Sequence, residues 1–598
     1  MKNYLTNVFG SDLRALAALR IGCALLIIFD LLERSTDLVA HYTDYGVAPR
    51  SLVIENLSSR WYISLHLMSG VWQLQALLFL FAGAAAVALL VGYRTRLATI
   101  VSWALFVSLC ARNFYLVQGG DLLLRVVLFW AMFLPWGARY SVDSAWREES
   151  PHVLPMQYLS WGTAAYVLQI LFMYWFTVLL KTGTQWWGEG SAVYYTLNID
   201  YLVSPIGKAL LALPYPLLRL ATWGVVLFEI VGPALLLLPV RKGWVRLATT
   251  VGFVLLHATF LLTMFIGIFP LIGIISMFFF LPALFWDWVA RLTSADDAAP
   301  KIYYDQDCGF CWRSVRVIKT FFLLPDVTMV GAQTVPAIET EMLERNSWVV
   351  VDGKGSRHYG YAALIVVAGV SPMLRPLVPL MNLSSVVWLG ERLYRYVAMH
   401  RRSICPLPGH SAQIDAHHSY LHPIRNLAIA ALIAYVFVLN LATIPNSGVP
   451  VSDNFRSLSV ITGLDQLWNM FAPFPAKDDG WYFVPGTLRN GRQVDLFRGG
   501  KEVSLGKPAY ASLEYKNHRW RKYIELMRKR AVLQPVYAGY LCREWNRSHQ
   551  ASEMLDSLEI IYVLEWTQPV SEYSPIERQS LNRFNCFDLN KPPSAKAN

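Results

Sequence analysis

The chain has 598 residues, of which 55% are hydrophobic and 16% are charged, and its mean hydropathy is +0.37. These values exclude a single small soluble core and are typical of a polytopic membrane protein with several domains. The net charge is +11. In a membrane protein such a charge more often reflects cytoplasmic loops than nucleic-acid binding, and the sequence carries no nucleic-acid-binding motif. We therefore expect membrane lipid as a partner and no nucleic acid.

Nine apolar stretches are candidates for membrane-spanning helices, each of which needs about 20 residues. The first eight form a predicted α-helical bundle over residues 8–292 (the bundle), and the ninth is an additional transmembrane helix at 423–445. The third and fourth are short, so they are either two spans or one buried, broken element. The nine stretches are 12–32, 72–92, 97–112, 121–137, 157–180, 217–239, 244–265, 268–290 and 423–445.

Basic residues favour a cytoplasmic N-terminus. With that orientation, the inner connections of the first eight spans carry eight Lys and Arg residues, the outer ones carry six, and a basic cluster precedes the ninth span. The inner set is Lys2, Arg94, Arg96, Arg139, Arg147, Arg241, Lys242 and Arg246; the outer set is Arg34, Arg50, Arg60, Arg112, Lys181 and Lys208; the cluster is Arg392, Arg395, Arg401 and Arg402, with Arg425 at the start of the span.

Two regions have the sequence pattern of soluble domains. Residues 300–403 (the dithiol domain) follow the polar linker 296–300 and have an α/β pattern, and residues 446–598 (the tail) have an α+β pattern. In the dithiol domain we predict strands at Lys301–Tyr304 and Trp348–Val351 and helices at Cys311–Phe322 and Tyr361–Ala368. In the tail we predict a hairpin at Asn490-Gly491 between 482–488 and 492–497, a basic amphipathic helix at about 519–533 and a strand at Leu558–Trp566.

Cys308 and Cys311 form a C-x-x-C directly after the first strand of the dithiol domain, where a thioredoxin-like redox site is expected. A helix that begins there lowers a thiol pKa through its dipole and free N–H groups, with Asp307 as the expected N-cap. Cys308 is then the nucleophile and Cys311 the resolving cysteine. Asp305 and Asp307 add negative charge that opposes the thiolate, or one of them accepts the proton of Cys311.

Two other interpretations of the C-x-x-C are a metal half-site and a pair of inert thiols. A metal site normally needs a second pair of ligands, and Cys405 with His400 or His410 is poorly spaced for that purpose. We therefore expect no metal, and no cofactor that the dithiol itself requires.

The run Tyr304-Asp305-x-Asp307-Cys308-x-x-Cys311, followed by a helix, resembles the DCC thiol-disulfide oxidoreductase family, a thioredoxin-like group. The resemblance covers about residues 300–403. It implies a thioredoxin-like α/β domain inserted after the bundle, and a thiol or disulfide partner that is a protein or a small molecule. Thioredoxins usually carry a cis-proline that faces the dithiol, and Val335-Pro336 is the nearby candidate.

Ionisable residues inside apolar spans are functional candidates, because a charge in hydrocarbon is costly. The alternative for Arg20, Asp30, Asp121 and Arg125 is that they pair with one another and fix helix packing. Lys181, at the end of a span and before Trp186 and Trp187, either extends its amine to the surface or acts as a base beneath the tryptophans. The intramembrane candidates are Arg20, Asp30, Asp121, Arg125, Glu229 and His257.

Stretches of the bundle, taken in order, resemble the HTTM domain, which is shared with vitamin K-dependent gamma-carboxylases. They are Asp12–Gly22, His41–Val47, Arg139–Asp143 and Tyr174–Lys181 with Trp186-Trp187. The resemblance implies that Lys181 is a base that deprotonates a quinol. It also implies a quinone of the vitamin K, menaquinone or ubiquinone type, with His41, Asp44, Arg112, Trp186 and Trp187 as candidate binding residues.

The chain departs from the carboxylases at two positions. It has Thr182 where they have a second lysine, and Phe114 where they have a histidine. Quinone binding is therefore the better supported part of this resemblance, and gamma-carboxylation the weaker one.

In the tail, Trp468–Pro473 and Asp479–Tyr482 resemble the tail of bacterial proteins that fuse HTTM and DCC domains. The alternative is an aromatic loop that packs on the bundle. On the topology above, Cys542 and Cys586 face an oxidising compartment, and the sequence leaves open whether they pair.

We therefore predict a thiol-disulfide oxidoreductase of the bacterial inner membrane. It has about eight to nine spans, a cytoplasmic N-terminus and dithiol domain, and an extracytoplasmic tail. One alternative is a quinol-driven carboxylase or epoxidase that uses Lys181 as its base. The other is a non-enzymatic membrane scaffold or transporter with a redox-sensing domain.

Overall fold

The computed structural model describes residues 2–59, 61–147, 154–239, 243–293, 299–324, 327–404, 422–568 and 576–589. Some residues singled out above lie outside the described residues: Arg60, Arg241, Lys242, Cys405, His410 and positions 296–298 of the linker. The side chains of Lys2 and Arg402 lie outside them as well.

The described residues of the first half of the chain form nine principal helices. They are α1 Leu13–Ser35, α2 Trp72–Val91, α3 Thr95–Arg112, α4 Gly119–Ala131, α5 Trp161–Leu180, α6 Tyr215–Leu236, α7 Trp244–Thr263, α8 Phe269–Met277 and α9 Ala283–Thr293. Short helices lie at Lys2–Phe9, Leu38–Tyr42, Arg50–Glu55, Val142–Ala145, Thr184–Trp187, Ala192–Leu197 and Pro205–Ala209, and strands β1 Ser11–Asp12 and β2 Gln157–Tyr158 pair antiparallel.

Within the described residues, seven helices are long and apolar enough to cross a membrane, or eight if the bent pair formed by α8 and α9 is one span. The chain is therefore indicated to be a multi-pass membrane protein. Six of the seven belong to the bundle, and the seventh is Pro423–Leu441. The predicted count of eight to nine is slightly too high, because two stretches that look continuous in hydropathy do not form straight helices of full length.

The first of these stretches is 121–137, where α4 has only 13 residues and is too short to span. Gln118 and Asp121 form a capping box at its start, and the chain leaves the helix before Pro135. The second is 268–290, which bends by 94° between α8 and α9. Pro282 lies in this break, where its missing N–H and its ring disfavour a continuous helix.

Four strands form the sheet of the dithiol domain, in the order β4-β3-β5-β6. They are β3 Lys301–Tyr304, β4 Thr328–Gly331, β5 Val349–Val351 and β6 Arg357–Tyr359. β3 pairs parallel with β4 and antiparallel with β5, and β5 pairs antiparallel with β6. The domain is thus a β-α-β unit joined to a hairpin, as its α/β pattern predicts. Its helices are α10 Gly309–Phe321, α11 Pro336–Arg345, α12 Gly360–Val370, the short Val378–Met381 and α13 Ser384–Ile404.

After α14 (His422–Leu441), the tail folds around a sheet of the strands β7 Asp478–Phe483, β8 Pro485–Leu488, β9 Gln493–Asp495, β10 Leu555–Trp566 and β11 Glu577–Asn585. β10 pairs with β7, β8 and β11, and β9 pairs with β8. The predicted hairpin is confirmed, since β8 and β9 pair antiparallel around Asn490-Gly491. Cys542 and Cys586, whose pairing the sequence left open, form a disulfide. The helices of the tail are α15 Asp453–Thr462, α16 His518–Lys529, α17 Leu533–Ser548 and the short helix Cys586–Leu589.

A buried ion network joins the tail to the bundle. Arg34 of α1 contacts Asp30 and Asp121, each at 2.6 Å. Arg519 of α16 contacts Asp30 at 2.7 Å and Asp121 at 2.6 Å. All four side chains are buried. The predicted basic helix is thus present as α16, and its Arg519 side chain lies between two buried carboxylates of the bundle.

The other intramembrane candidates also have partners. Arg125 pairs with Asp465 of the tail at 3.0 Å, and Arg20 donates to the carbonyl of Leu89 at 3.1 Å. The Nε2 atom of His257 and the hydroxyl of Tyr174 are 2.8 Å apart. These contacts support the interpretation that the ionisable residues fix helix packing. Their partners, however, come more from the tail and the backbone than from the other ionisable residues of the spans.

The dithiol domain and the tail contact segments that lie next to opposite ends of α3. α10 packs on Val142–Ala145, where the Asp143 carboxylate accepts the N–H groups of Arg94 and Thr95 at the start of α3, at 2.8 and 2.7 Å. Just beyond the other end of α3, the carbonyl of Leu116 accepts from Arg519 at 2.9 Å. An 18-residue helix is about 27 Å long, so the bundle separates the two soluble regions.

We expect Arg519→Ala to destabilise the protein by about 3–5 kcal/mol, because it leaves Asp30 and Asp121 buried with one guanidinium between them. Thermal unfolding of the full chain in detergent measures the loss. Lys529→Ala, an exposed position on the same helix, is the control and should stay within about 0.5 kcal/mol of the parent. Equal stability of the two variants would contradict a structural role for the network.

Candidate functional site

Cys308 and Cys311 are free thiols at the start of α10. Cys308 itself is the N-cap, and its Sγ accepts the N–H of Cys311 at 3.4 Å. The expectation that Asp307 caps the helix is wrong. The helix begins at Gly309, so the capping position falls one residue later, and Asp307 is an exposed residue whose N–H donates to Asp305 at 3.2 Å.

The two thiols have different acidities. The pKa of Cys308 is lowered to about 6, first by the hydrogen bond from the Cys311 side chain, and also by the Cys311 N–H and the charge of Arg401, while burial and Asp305 oppose the shift. The pKa of Cys311 is raised by its hydrogen bond to Cys308 and by burial. Cys308 is therefore the thiolate and Cys311 the protonated partner at neutral pH, which is the assignment that the sequence predicts.

Arg401, near the end of α13, supplies the positive charge at the dithiol. Its Nη1 lies 3.5 Å from the Sγ of Cys311 and its Nη2 lies 3.8 Å from the carboxylate of Asp305. In the sequence, Arg401 stands out only as part of a basic cluster that bears on topology. No local pattern points to it, because it lies 90 residues after Cys311.

Asp305 is held beside the thiols by Gln333. The Gln333 amide donates to Asp305 at 3.0 Å and accepts the N–H of Gln306 at 3.2 Å. One carboxylate oxygen of Asp305 and both sulfurs lie within 4.8 Å of one another. Of the two aspartates considered as acceptors for the Cys311 proton, Asp305 is thus the one in position.

The same three groups are a conceivable set of metal ligands, but the surroundings disfavour a cation. The guanidinium of Arg401 already contacts Cys311 and Asp305, and a metal ion there would meet its positive charge. His400 is exposed and stacks on Tyr396, with ring centroids 4.3 Å apart. The residues therefore fit a redox dithiol better than a metal site.

The expected cis-proline is not at Val335-Pro336, because that peptide bond is not cis. Pro336 is instead the first residue of α11, a position where its fixed φ and missing N–H suit a helix start. The segment before β5 is held by α13, whose Tyr394 hydroxyl accepts the N–H of Trp348 at 3.2 Å. Helix α13 thus supplies both this contact and Arg401.

Lys181 lies in the bundle and is buried. Its amine forms an ion pair with Glu229 of α6 and lies 4.4 Å from the ring centroid of Trp186. The indole of Trp187 donates to the Lys181 carbonyl at 2.5 Å. Of the two interpretations, an amine that extends to the surface is wrong, because Glu229 provides a buried partner on the neighbouring helix.

The tail contacts the segment that follows this lysine. The N–H of Gly183 donates to the carbonyl of Pro473 at 2.9 Å, and the indole of Trp186 donates to the carbonyl of Phe471 at 3.0 Å. Trp468 is also buried. The aromatic segment of the tail therefore packs on the bundle, as the simpler interpretation predicts.

His41, Asp44 and Arg112 form a separate group. The guanidinium of Arg112 donates to the Ala48 carbonyl at 2.8 Å and lies 3.8 Å from Asp44. The His41 ring is buried against Trp520, with centroids 4.5 Å apart, and burial lowers its pKa to about 3. Across the described part of the chain, no direct hydrogen bond or ion pair joins this group to Lys181 and its tryptophans, so the predicted quinone-binding residues divide into two sets.

Comparison with known proteins identifies one region. The family model of DCC1-like thiol-disulfide oxidoreductases matches residues 302–406, which include both cysteines of the dithiol. The match does not extend to the bundle, and nothing found supports its resemblance to the HTTM domain. Comparisons with curated proteins and with solved structures find no significant match. The chain therefore contains a DCC1-like thiol-disulfide oxidoreductase domain, and disulfide oxidoreductase activity is the function that this match supports.

Proposed function

We propose that the protein is a membrane-embedded thiol-disulfide oxidoreductase in which Cys308 is the nucleophile and Cys311 the resolving cysteine. The observation that carries this proposal is the position of Cys308 as the N-cap of α10, with its pKa lowered to about 6. A thioredoxin-like fold for this domain is part of the proposal. The β-α-β unit and hairpin of its sheet support it.

The reaction is a two-step exchange with a disulfide partner. The Cys308 thiolate attacks one sulfur of the partner, a mixed disulfide forms, and the other sulfur leaves as a thiolate. Cys311 then loses its proton, with Asp305 as the acceptor, and attacks the Cys308 sulfur. The partner leaves as a dithiol, reduced by two electrons, and Cys308 and Cys311 end as a disulfide.

The acidity of Cys308 also bears on the direction of electron flow. A lowered thiol pKa stabilises the reduced dithiol relative to the disulfide, and a stabilised reduced form makes the protein a stronger oxidant. Arg401 contributes to this stabilisation, whereas Asp305 opposes it. The balance of these two charges therefore influences the reduction potential.

We also propose the bacterial inner membrane as the location, with the dithiol domain in the cytoplasm and the tail outside. Two observations support this arrangement. The two regions contact segments next to opposite ends of α3, and the tail contains the Cys542–Cys586 disulfide, which is typical of an oxidising compartment. The basic connections next to the dithiol domain agree with a cytoplasmic location.

A second proposed function is binding of a quinone near Lys181. The observation in its favour is a buried ammonium–carboxylate pair beneath Trp186, at the end of a span. Lys181 lies at the end of α5 that faces the tail, since Pro473 and Phe471 contact Gly183 and Trp186 just after it. The dithiol lies at the opposite end of the bundle, so a quinone here serves a separate activity and does not exchange electrons directly with Cys308.

We expect Cys308→Ser to abolish disulfide exchange, and Cys311→Ser to form a mixed disulfide that it cannot resolve. The reason is that, of these two cysteines, Cys308 is the thiolate at neutral pH. Incubation with glutathione disulfide, followed by mass spectrometry of the intact full chain, measures the adduct. The roles are reversed from our assignment if Cys308→Ser accumulates the adduct and Cys311→Ser does not.

We expect Arg401→Ala to raise the pKa of Cys308, because it removes a positive charge beside the dithiol. In the parent protein, the iodoacetamide alkylation rate should rise with pH through about 6, where the thiol becomes a thiolate. A midpoint higher by about one pH unit reduces the rate at pH 6 about fivefold. Arg345→Ala, which alters an exposed arginine at the end of α11 in the same domain, is the control. Identical profiles for the two variants would show that Arg401 does not act on the thiol.

For the quinone proposal, we expect Lys181→Ala to lose binding of a menaquinone analogue while the dithiol potential stays unchanged. Thiol trapping over a series of dithiothreitol ratios, with and without the analogue, measures the potential. Lys208→Ala, which alters a partly exposed lysine on the tail side, is the control. Retained binding in Lys181→Ala would overturn the quinone site, and a potential that follows the quinone redox state would overturn the separation of the two activities.

A further inference from the structure

Helix α13 presents an apolar face that no described residue covers. Trp388, Leu389, Leu393, Tyr396 and Met399 are each more than half exposed. They recur at helical spacing, so they lie on one side of the helix. Soluble monomers rarely leave such a continuous apolar surface in water.

The segment before α13 extends this surface. Its large apolar side chains are also about half exposed, at Met373, Leu377, Leu380 and Leu383. The opposite side of α13 packs into the dithiol domain, where Tyr394 contacts Trp348 and Arg401 contacts Cys311. α13 is therefore amphipathic in its contacts, with one face on the redox site and the other free.

The chemistry of the free face fits a bilayer interface that contains anionic lipids. Tryptophan and tyrosine favour the level of the headgroups, and basic residues bind anionic ones. The guanidinium carbon of Arg392 lies 3.9 Å from the centroid of the Trp388 ring. Arg392 and Arg395 are both exposed. Glu391, the acidic residue of α13, is turned inward, where its carboxylate accepts the N–H of Tyr361 at 3.1 Å.

The position of the domain places this face beside the membrane. The domain is preceded by α9, which is apolar and exposes Trp288 and Leu292, and it is followed by α14, which contains the candidate span Pro423–Leu441. α10 rests on the end of the bundle, where Arg316 donates to the Arg147 carbonyl at 2.6 Å. Membrane helices therefore flank the domain in the chain on both sides, and the bundle fixes it near the bilayer.

We propose that α13, with the preceding segment 373–383, lies in the interface of a bilayer that contains anionic lipids. Its apolar side chains enter the acyl region, and Arg392 and Arg395 bind the headgroups. Because the inner face of the same helix carries Arg401, the membrane holds this guanidinium at the dithiol. The proposal does not depend on the identity of the disulfide substrate or on quinone binding.

The test is photocrosslinking of the full chain in lipid nanodiscs. Leu393 is replaced by p-benzoylphenylalanine, which inserts into acyl C–H bonds on irradiation. Leu343 of α11, an equally exposed leucine of the same domain, is the matched control position. We expect a lipid adduct several-fold more abundant at 393 than at 343, and more abundant in phosphatidylglycerol-containing discs than in pure phosphatidylcholine.

A second variant tests the charge. Arg392→Glu combined with Arg395→Glu, in the Leu393 crosslinking background, should abolish the difference between the two lipid compositions. An unchanged pH midpoint for the alkylation of Cys308 would show that the dithiol site remains folded. Equal lipid labelling at positions 393 and 343 would overturn the proposal. So would a crosslink at 393 to protein, whether within the chain or to a second copy, because the face would then have a protein partner instead of lipid.

Discussion

The structure depends on four buried charges that neutralise one another. Arg34, Asp30 and Asp121 come from the bundle, and Arg519 comes from the tail. A buried charge without a partner is strongly destabilising, so the tail cannot separate from the bundle without a large loss of free energy. The contacts that depend on this attachment include the packing of His41 on Trp520 and the hydrogen bonds from Trp186 and Gly183 to the tail. Bundle and tail are in this sense one structural unit.

The dithiol domain is attached differently. It meets the bundle mainly through α10 and the segment 142–147, and it exposes much of α13. Its site combines a local effect, the start of a helix at Cys308, with a distant one, the charge of Arg401. The hydrogen bond between the two thiols then separates their acidities, because it lowers the pKa of Cys308 and raises that of Cys311. A nucleophile and a resolving cysteine result from this asymmetry, as disulfide exchange requires.

The candidate site was predictable to the extent that it is local. A strand that runs into a C-x-x-C and a helix predicts a redox dithiol, because the geometry lies within one helical turn. The cap was misplaced by one residue, since Asp307 and Cys308 are both suitable positions and only the backbone decides between them. Arg401 was missed because the approach of α13 to α10 is a property of the folded domain. For the same reason, the two sets of candidate quinone residues looked like one.

The sequence by itself determined the features that hydropathy, periodicity and turn chemistry encode over short distances. These are most of the apolar spans, the strands β3 and β5 of the dithiol domain, the hairpin at Asn490-Gly491 and the C-x-x-C. Only the tertiary structure decided which charges pair, as for Arg519 with Asp30 and Lys181 with Glu229, and that Cys542 bonds to Cys586. The physical reason is that pairing and desolvation depend on distances between segments remote in sequence, which no local pattern records.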